Sequence, residues 1–403
     1  MHNGIHDVVR ALDSAYPTDL VEVLAGELRL AFGATGASLL VPDYDQTELR
    51  RVEDLPVEDL EAVPVDGSDA GSAFREQRPV EVTSGDDGGS TVVFLPVSMR
   101  GERLGVLCVE LPRAPDRSDV ESMARIATAL SYVVFSTARY TDAFERARRR
   151  RRLSLPAEMQ WSLLPARAFR CAEFGVAGQL VPAYEVGGDV FDYDVDAVRL
   201  TVSVIDAMGH ALDASVMAGL ALASLRNHRR AGASSAEQLG ATDQFLHRYR
   251  GGEAFVTALM VDVEVTTGRG HVVAAGHPPA RLLRDRTVSE LPTIANLPLG
   301  MTGETSYEAA PLQLLPGDRL LLLSDGVIEG RSSAGEEFGD NKLDVLLVET
   351  SKLPPGEATI RIQEAVKAHA HPVGLRDDAT MVLLDWYGPQ GGPTGMRAPF
   401  GPG

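Results

Sequence analysis

The chain has 403 residues, 44% of them hydrophobic and 24% charged, enough to fill the cores of two ordinary domains. A formal charge of −19 excludes nucleic acid as a main partner, and only two cysteines, Cys108 and Cys171, exclude a disulfide framework and suit a reducing cytoplasm. The sequence has no apolar run of about 18 residues, and its start lacks a basic segment ahead of an apolar core, so neither membrane insertion nor secretion is expected.

Residues 17–112 read as a small α/β domain. Tyr16-Pro17-Thr18-Asp19 predicts the cap of a helix carrying Leu20, Val23, Leu24 and Leu28, and Ala37 to Val41 predicts a strand. Two further strands, Thr91 to Val97 and Leu104 to Glu110, flank a turn at Arg100-Gly101-Glu102-Arg103. That hairpin, with a glycine opening its second strand, resembles the end of a GAF domain, a small-molecule or protein-docking sensor module. The resemblance assigns residues 1–116 to a GAF-like sensor domain whose ligand is unknown. Cys108 reads as a buried strand residue rather than a redox or haem-linked group.

Ser118-Asp119-Val120-Glu121 has the spacing of a capping box and predicts the next helix start. Beyond it, Met123, Ile126, Leu130, Val133, Thr137, Tyr140 and Phe144 follow alternating steps of three and four, a heptad seam. Residues 117–165 therefore read as a linker helix. It either packs on its own sheet or forms a coiled-coil homodimer through residues 123–144. Arg146 and Arg148 to Arg152 place six arginines in seven positions. In so acidic a chain they read as a solvated linker face pairing with acidic groups, not as a nucleic-acid or membrane patch. Pro156 interrupts the helix, and Met159, Leu163 and Leu164 form a short apolar stripe ending at Pro165. The tail 388–403, with six Gly and four Pro, reads as disordered.

Residues 166–387 alternate strands and helices. Leu200 to Ile205 leads into Asp206, Arg319 to Ser324 leads into Asp325, and Thr380 to Asp385 follows Asp377 and Asp378. Ala254 to Val265 and Gly270 to Ala275 read as paired strands. Helices are predicted over Asp213 to Arg229, Ser235 to Tyr249 and Gly356 to Ala370. So many strands with few helices between them favour packed antiparallel sheets flanked by helices. Four acidic motifs sit at strand ends: Glu185 to Asp189, Asp206 to His210, Ser324-Asp325-Gly326 and Arg376-Asp377-Asp378. Two unit charges about 4 Å apart at an effective dielectric of about 20 repel by roughly 4 kcal/mol, so converging carboxylates imply a hard divalent cation.

Six ordered motifs carry a family resemblance over about 220 residues. They are Pro182 to Asp192, Asp206 to His210, Ala275-Gly-His-Pro-Pro279, Leu297-Pro-Leu-Gly300, Leu323-Ser-Asp-Gly326 with Glu329, and Arg376 to Thr380. Together they resemble the sporulation-type branch of the metal-dependent, phosphatase 2C-like serine/threonine phosphatases, and Gln160 to Pro165 resembles the helix that opens that domain. The resemblance implies an α+β fold: an αββα sandwich of two antiparallel sheets between helical layers, preceded by the smaller α/β domain. It also implies two Mn²⁺ or Mg²⁺ ions. Asp206 would bridge both, Asp189 and the Ala207 carbonyl would bind one, and Asp325 and Asp377 the other, an all-oxygen set suited to hard ions. Two such ions about 3.5–4 Å apart would bring a bridging water's pKa toward neutrality. The resulting hydroxide would attack a phosphoserine or phosphothreonine in line, with Asp206 and Asp189 as the catalytic pair. Glu185, Gly188, His210, Gly326 and Asp378 would surround the ligands, Asp192 would orient the first motif, and His210 and His277 read as structural hydrogen-bonding groups.

The substrate implied is a phosphorylated regulatory protein of the anti-anti-sigma-factor kind, with the GAF-like domain regulating the hydrolase. Two other readings compete. Gly187 to Phe191 resembles a diguanylate-cyclase loop, but Val190 stands where that loop needs an acid. A catalytically weak partner-switching scaffold is the second, and the intact aspartates weigh against it. One departure from the family pattern is Ala211, where the family usually has a glycine able to take φ > 0.

Overall fold

The computed structural model describes residues 4–52, 62–84, 89–181, 187–209, 211–372, 374–375 and 378–389. Contacts divide the chain into two compact units, Met1–Arg152 and Leu153–Gly403. Glu185, His210 and Asp377, and nearly all of the glycine-rich tail, lie outside the described residues.

The first unit begins with helices α1 (Gly4–Ser14) and α2 (Leu20–Phe32), then strands β1 (Gly36–Pro42), β2 (Glu48–Arg51) and β3 (Val63–Pro64). Helix α3 (Asp69–Glu76), strands β4 (Val80–Thr83), β5 (Thr91–Met99) and β6 (Glu102–Leu111), and helices α4 (Arg117–Thr137) and α5 (Ala143–Ala147) complete it. The strands form one sheet in the order β3-β2-β1-β6-β5-β4, every pairing antiparallel. Alternation along the strands sends Leu39, Val41, Leu107 and Val109 to one face, under α1, α2 and α4. Leu40, Val106 and Cys108 go to the other face, against Phe74 of α3. Burial pushes the Cys108 thiol up to about 12, so it stays protonated, as a strand residue would. The turn between β5 and β6 is the pair Arg100 and Gly101, both at positive φ, as a two-residue hairpin of matching twist requires. Gly105 is obligatory at its position, because a Cβ there would lie 2.0 Å from the Leu40 carbonyl oxygen.

The linker reading needs three corrections. The cap of α4 is Asp116, which accepts from the Asp119 backbone N–H at 2.8 Å, so the helix starts ahead of the expected Ser118. The expected long helix is three: α4 ends at Thr137, α5 is a single short turn, and the next helix opens the second unit. Finally, Met123, Ile126 and Leu130 are fully buried in the first unit's own core, so over this stretch the seam packs on its own sheet. The arginine run folds back on acidic groups of the same unit, as its composition predicted: Arg150 pairs with Asp43 and Asp45.

The second unit opens with α6 (Leu155–Leu163), β7 (Ala168–Arg170), β8 (Phe174–Val181), β9 (Asp189–Val195) and β10 (Arg199–Ala207). Helices α7 (Ala211–Arg230) and α8 (Ser235–Arg250) follow, then β11 (Val256–Glu264), β12 (Arg269–Ala275), β13 (Arg281–Arg284), β14 (Thr287–Glu290), β15 (Ala295–Asn296), β16 (Ala310–Gln313) and β17 (Arg319–Leu323). The chain closes with α9 (Asp325–Glu329), α10 (Gly339–Glu349), α11 (Pro355–Ala370) and β18 (Ala379–Trp386). One sheet runs β15-β12-β11-β10-β9, with β16 also on β12; the other runs β14-β13-β17-β18-β8-β7. Phe191, Val202 and Val261 of the first meet Val176, Leu322 and Val382 of the second in one apolar layer. On the outer face of the first sheet, Ile205 and Met260 pack under Met217, Leu222 and Leu239 of α7 and α8. On the outer face of the second, Leu321 and Leu383 pack under Leu343, Ile362 and Val366 of α10 and α11. This is the expected αββα sandwich.

Among the described residues no helix is long and apolar enough to cross a membrane.

Candidate metal centre and its supports

The first two acidic motifs meet by strand register. β9 begins at Asp189 and β10 ends just past Asp206, and these aspartates are direct partners in the antiparallel ladder. Partners in such a ladder share a face, so both carboxylates project from the same side at one end of the sandwich. Gly188 sits beside them: its carbonyl accepts the Ala207 N–H at 3.1 Å. A Cβ on Gly188 would lie 3.4 Å from the Ala207 carbonyl oxygen, the oxygen expected to be a ligand.

The other sheet supplies the opposite wall. Asp378, just ahead of β18 and 2% exposed, accepts the Asp189 backbone N–H through Oδ2 at a long 3.4 Å. Ser324, fully buried at the end of β17, ties that end to β18 twice: its N–H donates to the Thr380 carbonyl, and its Oγ accepts the Thr380 N–H, each at 2.9 Å. Asp325 then opens α9, half-buried. Gly326 is pressed against Asp378, where a Cβ would meet the Asp378 carbonyl oxygen at 1.9 Å. The structure thus brings Asp189, Asp206, Ala207, Gly188, Gly326 and Asp378 into one neighbourhood. Among the described residues no group of three or more His, Cys, Asp or Glu is placed to hold an ion by itself. Asp377, the carboxylate expected to complete the set, is outside those residues.

Electrostatics single out Asp189. Burial, and then the charges of Asp206 and Asp378, hold its carboxyl well above the usual carboxylate range, against the opposing hydrogen bonds of Ser324 and Thr380. Its Oδ2 is buried without a hydrogen-bond partner in the described structure. An orphaned carboxylate oxygen beside a second carboxylate is a poor arrangement for the protein alone and a good one for a hard cation. By this measure the residues fit the expected ions.

Sequence reasoning assigned no role to Gln160, which lies on α6 and is 1% exposed. Its Nε2 donates to the Asp189 carbonyl at 2.8 Å and to Asp378 Oδ2 at 2.9 Å, so one amide joins the two walls. The available signal was a glutamine three residues from Ala157 on the buried face of a short helix. Arg226 of α7 holds that helix in turn, donating to the Leu163 carbonyl at 2.9 Å and to Asp192 at 2.7 Å. Asp192, 2% exposed, also accepts from Arg229 at 2.8 Å, so it anchors α7 to β9 and lies outside the ligand set.

His277 is structural. Its Nε2 donates to the Leu323 carbonyl at 3.0 Å, which leaves Nδ1 to accept from the Thr257 hydroxyl at 2.7 Å. Thr257 is the ladder partner of Asp206, so the ring braces one sheet against the other directly behind the centre. Burial depresses its pKa to about 4. The folded state therefore binds fewer protons than the unfolded one between the ordinary histidine value and about 4, and stability falls with acidification through that window. Wild type is expected to lose roughly 1 kcal/mol per pH unit more than His277→Gln between about pH 6.5 and 4, read from urea midpoints. Equal slopes would contradict this assignment.

Ala211 takes the backbone that the missing glycine would take, at φ +63° as the first residue of α7. The alanine at this position therefore carries backbone strain. Ala211→Gly is expected to stabilise the second unit by about 0.5–1 kcal/mol in chemical denaturation. A destabilised variant would show that the alanine methyl makes packing worth more than the strain.

Residues 196–387 match the family described as Stage II sporulation protein E (SpoIIE). Over 154 residues the chain is 26% identical to the phosphoserine phosphatase RsbP of Bacillus subtilis (strain 168), covering 37% of this chain and 38% of that protein. Over 185 residues it is 21% identical to the phosphoserine phosphatase RsbU of the same organism, covering 45% of this chain and 55% of that one. The chain therefore spans from about two fifths to about half the length of these relatives. Among solved structures it is similar to the SiaA-PP2C domain of Pseudomonas aeruginosa, at 22% identity and a TM-score of 0.49, covering 57% of this chain and 94% of that one. The match to the SpoIIE family thus lies wholly within the second unit, over residues 196–387, just under half of the chain.

Proposed function

We propose that the second unit is a metal-dependent serine/threonine phosphoprotein phosphatase, working in the cytoplasm on a phosphorylated regulatory protein of the anti-anti-sigma-factor kind and regulated by the first unit. The observation that carries the reading is the register pair Asp189–Asp206, with its buried, orphaned oxygen, closed by Asp378 from the opposite sheet. The names of the two curated relatives, both phosphoserine phosphatases, support the substrate class.

When bound, Mn²⁺ or Mg²⁺ would supply an activated water and charge neutralisation at the phosphoryl oxygens. The chain's own residues set the geometry. Asp189 and Asp206 present carboxylate oxygens side by side, and the Ala207 carbonyl, Asp325 and Asp377 would add the further oxygens. Gln160 fixes Asp378 against Asp189, while Ser324 and Thr380 hold the β17 and β18 ends in line. A second reading, a catalytically weak partner-switching scaffold, draws on the strained Ala211 beside the centre. Hydrolysis of p-nitrophenyl phosphate with and without Mn²⁺ separates the two: metal-dependent turnover supports the phosphatase, and a folded protein that binds Mn²⁺ without turnover supports the scaffold.

A further inference from the structure

The arginine-rich segment ahead of the catalytic unit is fastened to one turn of the first unit. That turn, Asp43-Tyr44-Asp45, connects β1 to β2, and all three residues are buried. Asp43 folds the turn by accepting the Thr47 and Glu48 N–H groups at 2.8 and 3.0 Å through Oδ1. Its Oδ2 faces Arg150 Nε at 2.9 Å, and Asp45 accepts from another guanidinium nitrogen of the same Arg150. Arg148 donates to the Pro42 carbonyl at 3.3 Å and stacks its guanidinium 4.9 Å from the Tyr44 ring centre. The Tyr44 hydroxyl donates to Glu145 of α5. One turn thus captures the segment at three positions: Glu145, Arg148 and Arg150.

We propose that this cluster is a salt-sensitive latch through which the first unit regulates the phosphatase centre; the inference rests on the phosphatase reading above. With Arg150 fastened, four residues separate it from Leu155, which opens α6, a tether of about 17 Å at full extension over the five residue steps. The same helix carries Gln160, whose amide holds Asp378 to Asp189. Opening the latch lengthens the tether back toward the end of α4 and frees α6 to leave, taking the Gln160 contacts with it. The first unit has a direct route to the latch. Leu40 of β1 and Leu49 of β2 pack against Phe74 of α3, so a change of packing on that face moves the two strands whose connecting turn carries the acids. The Arg150 side chain is 35% exposed, so ions reach the pair and screen it.

The experiment uses the full chain with Arg150→Gln, Asp45→Asn and the double variant. One readout is the rate of trypsin nicking within Arg148 to Arg152 of the folded protein; the other is Mn²⁺-dependent hydrolysis of p-nitrophenyl phosphate. Thermal unfolding confirms that each variant is folded. Each single variant is expected to nick about tenfold faster than wild type and to lose turnover by a similar factor, with the double no worse than either single, as direct partners require. Wild-type nicking should also rise between about 50 and 500 mM NaCl, while that of the variants stays flat. Unchanged nicking in the folded variants overturns the latch. Faster nicking with wild-type turnover overturns its regulatory role. Absence of turnover in wild type itself overturns the phosphatase reading, and the regulation of that centre with it, whatever the nicking rates show.

Discussion

Asp206→Asn is expected to lower Mn²⁺-dependent turnover about a thousandfold, roughly 4 kcal/mol of transition-state stabilisation, because on the proposed reading it removes the carboxylate that would serve both ions. The same pair of carboxylates has a second, opposite consequence. In the absence of metal, Asp206 and Asp189 repel each other across the β9–β10 ladder, and Asp189 is fully buried with one oxygen unpartnered. Neutralising either carboxylate should therefore stabilise the metal-free fold, by about 1–2 kcal/mol for Asp189→Asn. The pH dependence has a definite sign. A carboxyl whose folded pKa is raised binds its proton more tightly folded than unfolded, so its contribution to stability is full below the ordinary Asp value. It is lost as pH rises through the folded value. Metal-free wild type should thus weaken as pH rises above about 4, relative to Asp189→Asn, and saturating Mn²⁺ should remove the difference. Turnover in kcat/KM and denaturation midpoints in EDTA check the two halves. A variant that loses activity and also loses metal-free stability would contradict the repulsion on which the site is argued.

Gly326→Ala carries the second large effect. The added methyl carbon would lie 1.9 Å from the Asp378 carbonyl oxygen, inside any tolerable contact, and the obstacle is backbone rather than a side chain that could swing away. The strand end cannot yield freely, because Ser324 and Thr380 are bonded there twice. Relief must come from moving α9 away from β18, which separates Asp325 from the wall that carries Asp378. The substitution is expected to cost about 3 kcal/mol of stability and to reduce turnover at least as severely as loss of a ligand. Circular dichroism melts with parallel assays check it; an active, wild-type-stable Gly326→Ala would mean that α9 is free to shift.

The strand ends at Asp206 and Asp325 were legible in the sequence because each apolar run terminates on its aspartate, whereas Asp189 opens β9 and only the pairing of β9 with β10 brings it opposite Asp206. Helices α7, α8 and α11 were legible for the same reason, from their apolar period. Helix α9 was not, since Asp325-Gly326 reads equally well as a turn; only packing against β18 makes it helical. The seam of α4 illustrates another limit. A three-four spacing reports that a helix has an apolar stripe, not what covers it, and here the unit's own sheet covers Met123, Ile126 and Leu130. The cap at Asp116 was missed because Ser118 has the better motif while Asp116 makes the bond. Gln160 was hidden for a different reason. Its role depends on partners 29 and 218 residues away, a convergence that no local pattern encodes.

The central claim is that the paired carboxylates exist to hold divalent cations. Calorimetric titration of the metal-free protein with Mn²⁺ tests it most directly, with Asp189→Asn and Asp206→Asn run alongside. Wild type is predicted to bind two ions and both variants to lose at least one, with the wild type's metal-free instability removed on binding. Binding of equal stoichiometry and affinity in all three proteins, or no binding to folded wild type, would contradict it.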